Sequence, residues 1–148
     1  MIGSFTTETT ILSGNELSQN YIDFIEENQL VEPTDHIHYW YSDAAFDIEE
    51  GVYFFTDEKV VVFSNLLEEP VIIIPYEQIV EVDFQKSESD WVDSYVILSL
   101  EDYSTISIPV TVEEGGDHIF FNDLRKTWGA KVQIINDLSQ YELEGSLN

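Results

Sequence analysis

Cysteine is absent from this 148-residue chain. That excludes disulfides, thiolate metal sites and a cysteine nucleophile, and it suits a reducing compartment. Basic residues are scarce too: five lysines and arginines stand against 30 acids, for a formal net charge of −25. The acids number eleven in residues 1–50, ten in 51–100 and nine in 101–148, so they form no tail. An even negative field repels nucleic-acid phosphates and anionic lipid heads; neither direct nucleic-acid binding nor membrane binding is expected. Long apolar runs are missing as well. Stretches such as VIII at 71–74 fall far short of the ~18–20 residues of a membrane helix. The opening MIGSFTTETT has no basic region followed by an apolar core. No signal peptide is read there, and a soluble, cytoplasmic protein is expected.

What is present is a β-rich pattern. Hydrophobic residues make up 43% and aromatics 14%, enough for one packed domain despite the charge. Ser13 and Glu16 have capping-box spacing. Leu17, Tyr21, Phe24 and Ile25 then recur on one helical face, and Pro33 closes that amphipathic helix. From residue 36 the period becomes two. HIHYWYS puts Ile37, Tyr39 and Tyr41 on one face and His36, His38 and Trp40 on the other. GVYFF (51–55) and KVVVF (59–63) read as a hairpin about Thr56-Asp57-Glu58-Lys59. VIII (71–74) is a fourth strand, and Pro75-Tyr76-Glu77-Gln78 a turn. In IVEVDF (79–84), Val80, Val82 and Phe84 alternate with Glu81 and Asp83. SYVILSL (94–100) and TISIPVTV (105–112) form a second hairpin, with Pro109 marking an edge or a bulge. Asp117 is placed to cap a helix in which Phe120, Leu124 and Trp128 recur, and Gly129 to end it. Residues 130–148 read as a tail, with a short strand at 131–135 and a helical turn near 137–143.

Helix, seven strands, helix is thus the expected order: a mainly β (α+β) fold in which the strands curl into a small barrel or two orthogonal sheets. The closing helix plugs one end. The expected divisions are an N-terminal extension at 1–34, a β domain at 35–129 and a tail at 130–148.

The stretches GVYFFTDEKVVVFSN, IPYEQIVEVDF, the strand pair 94–112 and GGDHIFFNDLRKTWG, taken in order, resemble the pleckstrin-homology-like (PH/GRAM-like) domains of bacteria. The resemblance covers residues 35–129 and implies a seven-stranded, strongly bent barrel capped by the C-terminal helix. Phosphoinositide-binding members carry lysines and arginines on the first two strands and the loop between them. Here that loop, SDAAFDIEEG, has Asp43, Asp47, Glu49 and Glu50 and no basic residue, and SNLLEEP is acidic too. No phosphoinositide ligand is expected.

No nucleophile elbow, phosphate-binding glycine loop, His-Glu-x-x-His or calcium loop occurs. His36 and His38 are read as half-exposed imidazoles beside Trp40 rather than as metal ligands, and His118 as a surface residue of the helix start. Carboxylate pairs such as Glu26-Glu27 are read as solvated surface. No catalytic residue, cofactor or metal is therefore assigned, and a non-enzymatic module binding a positively charged protein or peptide is expected. The residues chosen for that contact are Phe46, Glu49, Glu50, Leu66, Leu67 and Trp91. For Trp91, in the polar loop SESDWVDS, the favoured reading is a lid folded onto the barrel end, with a partner anchor as the alternative. A mimic of nucleic acid occupying a basic groove, and an acidic surface adapted to high salt, are the competing readings of the charge.

Overall fold

The structure is a computed structural model that describes residues 10–43 and 51–146, of which 139–146 by backbone alone. Its elements are β1 (Leu12–Ser13), α1 (Gln19–Glu27), β2 (Ile37–Ser42), β3 (Val52–Thr56), β4 (Lys59–Phe63), β5 (Val71–Pro75), β6 (Ile79–Gln85), β7 (Ser94–Leu100), β8 (Thr105–Val110) and α2 (Gly116–Ser146). All pairings are antiparallel, in a five-stranded sheet β1-β2-β3-β4-β5 and a three-stranded sheet β6-β7-β8.

Two expectations change here. Eight strands stand among the described residues, because Leu12 and Ser13 pair with Trp40 and Tyr39 and add a short edge. The sheets also do not close into a barrel. After β5 the chain enters a 3₁₀ turn at Tyr76–Gln78. Pro75 opens that turn, and the next strand leaves on a different sheet. Pro109 does lie on an edge strand, β8, where its missing N–H costs nothing.

The core has two parts. One lies between the sheets and under α2: Phe55, Val60, Val62, Ile74, Tyr76, Val96, Leu98, Ile108, Phe120 and Leu124 are among its buried members. The other lies on the opposite face of the larger sheet. There Trp40, Val52, Phe54, Val61 and Phe63 pack against Phe24, Ile25 and Leu30 of the α1 segment. This explains why β3 and β4 are apolar at nearly every position rather than at alternate ones: both their faces are covered. Tyr21 stacks on Trp40 at 5.0 Å and Phe24 meets Phe63 edge-on at 4.9 Å. Gly14 has no room for a Cβ, because the carbonyl of Ile37 already fills that space.

The N-terminal helix is shorter than expected. The capping box of Ser13 and Glu16 is present, but it closes a 3₁₀ turn at Gly14–Glu16. A second cap, Ser18, accepts the Tyr21 N–H and starts α1. At the other end Gly129 is no terminus. α2 runs through it to Ser146, and no strand forms at 131–135. A helical glycine costs only ~1 kcal/mol relative to alanine. Past it, Lys131 pairs with Glu58 at 2.8 Å and Gln133 with Asp137 at 2.9 Å. Asp117 lies inside the first turn rather than at the cap, since the helix starts one residue earlier.

Candidate interaction surface

The antiparallel register lines up Ser42, Val52, Phe63 and Val71 in one row across β2 to β5. The strand ends Ser42 and Val52 therefore stand at the same end of the sheet as the loop 64–70. The Tyr41 hydroxyl donates to Asp93 at 3.0 Å and ties the 86–93 loop to that end as well. The loops carrying Leu66 and Trp91 thus share one end of the sheet. Phe46, Glu49 and Glu50 lie outside the described residues. Leu66 is 81% exposed and Leu67 less so, at the tip of 64–70. Ser64 shapes that tip: its N–H donates to the Pro70 carbonyl at 2.9 Å, and its hydroxyl accepts the Leu66 N–H at 3.2 Å.

Trp91 does not fold back. It is 94% exposed, and the reason is local. The Ser89 hydroxyl accepts the Trp91 N–H at 3.1 Å, while the Ser87 hydroxyl accepts the Ser89 N–H at 3.1 Å. These small turns fix the loop by serine–backbone bonds and aim the indole outward. Beneath it, burial and then the Asp93 charge hold the Tyr41 phenol well above its ordinary pKa; burial and Asp43 do the same for Tyr53. Asp93 itself is raised by burial, against the lowering hydrogen bond from Tyr41.

Two lysines are held in ion pairs with aspartates of the fold, whereas Arg125 and Lys126 are exposed on α2. Lys59 pairs with Asp35 at 3.0 Å, and Lys86 with the fully buried Asp117 at 2.8 Å. Asp117 also accepts from the Ser94 hydroxyl at 2.7 Å and the His118 N–H at 2.9 Å. Burial alone would raise its pKa, but these donors together hold it below the ordinary carboxylate value.

His38 departs from its reading. The β2–β3 ladder pairs Ile37 with Thr56 and then Tyr39 with Phe55, so His38 is an extra, bulged residue. Ile37 joins the core of Trp40, while Tyr39 packs on the opposite core. His38 stacks on Phe55 at 5.5 Å rather than beside Trp40. Its Nδ1 lies 2.8 Å from Asp123 on α2, and its Nε2 bonds Asp57 in the β3–β4 turn. Two carboxylates facing two ring nitrogens require both nitrogens to donate, which is the imidazolium. Burial would lower the pKa; the hydrogen bonds and charges of Asp57 and Asp123 outweigh it and raise it. Among the described residues no group of three or more histidine and carboxylate side chains is arranged to hold a metal ion. His118 is exposed and leans on Phe84 at 5.1 Å. Trp128 is half-buried, with its indole N–H donating to the Ile79 carbonyl at 3.1 Å.

Val80 and Tyr103 are among the exposed apolar residues that escaped the sequence reading. For Tyr103 a signal existed: the loop Glu101-Asp102-Tyr103-Ser104 has no glycine or asparagine, although short hairpin loops favour one.

Among solved structures, the chain resembles a DUF1696 family protein with a pleckstrin-homology domain from Shewanella loihica PV-4, at 11% identity. The alignment covers 83% of this chain and 97% of that one, with a TM-score of 0.49. No curated protein matches the chain. Residues 31–115, more than half of the chain, match the family described as "Bacterial PH domain". That span takes in all of β2 to β8. The chain belongs to the bacterial PH domain family.

Proposed function

We propose that the protein is a non-catalytic PH-like module that docks a basic protein or peptide at the loop end, without binding phosphoinositides or other cofactors. The exposure of Trp91 and Leu66 on loops gathered at one end carries this reading. Apolar side chains that fixed loops hold in water contribute little to the fold and suit a partner. Their surroundings select its charge: Glu68, Glu69, Glu88 and Asp90 are exposed on the same loops, and the nearby Lys86 is tied to Asp117. Lys59 and Lys131 are likewise engaged in ion pairs, which supports the exclusion of phosphate ligands. No helix among the described residues is long and apolar enough to cross a membrane.

Affinity capture with the full chain tests the reading. Basic partners should be retained at about 50 mM salt, released at about 500 mM, and lost with the pair Leu66→Ser and Trp91→Ser. Capture that is unchanged in that double variant, or capture of acidic partners only, would overturn it.

A further inference from the structure

Two distortions of the smaller sheet converge on one exposed groove. The β6–β7 ladder pairs Ile79 with Leu100 and then Glu81 with Ser99. Val80 is the extra residue of that bulge, and its side chain is exposed among otherwise alternating positions. The second distortion is Tyr103, whose φ of 70° lies in the left-handed region that disfavours any residue with a Cβ. Its side chain is 97% exposed. The turn that holds it is well bonded: the Leu100 N–H donates to the Ser104 carbonyl at 2.9 Å, and the Tyr103 N–H to the Leu100 carbonyl at 3.0 Å. Asp102 accepts the Ser104 N–H at 3.0 Å. Glycine would make this turn with less strain, and the tyrosine ring gives the core nothing in return.

Val80 and Tyr103 line the same shallow groove of about 600 Å³, together with Leu100, Glu101 and Thr105. Glu101 lines it, and Glu81 and Asp102, next in sequence to Val80 and Tyr103, are exposed as well. Segments 76–85 and 99–105 contain no lysine or arginine. A second copy of this chain would bring another −25 charge to the groove, and a phosphate group would meet the same repulsion. A cation meets carboxylates and the face of an exposed aromatic ring.

We propose that this groove docks an arginine-bearing peptide segment of a partner protein. An apolar side chain of the segment sits beside Val80, and a guanidinium stacks on Tyr103 within reach of Glu101. The surface is separate from the loop end. Trp91 precedes β7 and Tyr103 follows it, so the two lie at opposite ends of that strand, ~20 Å apart.

The test is an amide NMR titration of the full, ¹⁵N-labelled chain with a blocked hexapeptide alternating arginine and leucine. A hexapeptide alternating glutamate and leucine is the control. Shifts are expected at 78–81 and 99–105 with the arginine peptide alone. Tyr103→Gly should weaken binding roughly tenfold while raising the melting temperature, because glycine accepts the positive φ. Val80→Ser, at an exposed site, should weaken binding and leave the fold intact. Shifts confined to 64–67 and 90–92 would overturn the groove while supporting the loop end. Absent binding, equal binding of the glutamate peptide, or undiminished binding by Tyr103→Gly would each overturn it too.

Discussion

Raising the pH should loosen the attachment of α2 to the β3–β4 turn, because His38 joins them as an imidazolium between Asp123 and Asp57. Each charge-assisted hydrogen bond would contribute ~1.5–3 kcal/mol if buried. The side chains of His38, Asp57 and Asp123 are 23%, 52% and 31% exposed. Solvent screening brings the two bonds to ~1–2 kcal/mol together. The sign follows from the raised pKa. Below the unfolded-state value of about 6.5 both states hold the proton, and the contribution is complete. As the pH rises past the folded-state pKa the proton leaves and the contribution goes with it. For a chain of this length the loss corresponds to roughly 2–8 °C in melting temperature. Urea titrations followed by tryptophan fluorescence, from pH 5.5 to 8.5 at fixed ionic strength, measure it. His38→Gln should lie near the high-pH stability of the wild type and vary little with pH. A wild-type stability that changes with pH no more than this variant's refutes the reasoning, as does a His38 ring resonance that titrates at or below about 6.5.

Asp117→Ala should cost ~2–3 kcal/mol in urea denaturation at neutral pH, since it strands the Ser94 hydroxyl and unpairs Lys86. The Asp117 carboxyl is depressed in the fold, so the wild-type advantage over this variant should be complete above about pH 4 and shrink as the pH falls below it. Phe24→Ala should cost ~3–5 kcal/mol by the same assay, because it empties the space between α1 and Phe63. Gly14→Ala should destabilise by ~1–3 kcal/mol, since the added methyl meets the Ile37 carbonyl; a melting temperature equal to the wild type's would contradict that close approach.

The strand order was readable because β-branched and aromatic residues concentrate in short runs between polar turns, and those runs did become β2 to β8. The faces of β2 and β6 were misassigned at the bulges. A bulge inserts one residue and reverses the alternation beyond it, and neither His38 nor Val80 carries a residue type that announces this. Gly129 looked like a stop because glycine favours helix ends, yet its cost inside a helix is small. The His38 cluster was invisible for a different reason: its partners stand 19 and 85 residues away in sequence. The exposure of Leu66 and Trp91 depends on serine–backbone bonds inside their loops, and composition alone left both outcomes open for each.

The packing of α1 separates two kinds of boundary. The part of the chain recognisable as kin begins at residue 31, but the part able to keep water off the larger sheet begins upstream, with Leu12, Phe24, Ile25 and Leu30. A fragment cut to the recognisable span would carry Trp40, Phe54, Val61 and Phe63 as an open, sticky wall. Moving this domain into another protein, or trimming it for crystallisation, therefore means carrying its leading residues along. The matched span and the piece that can stand alone are different lengths of chain.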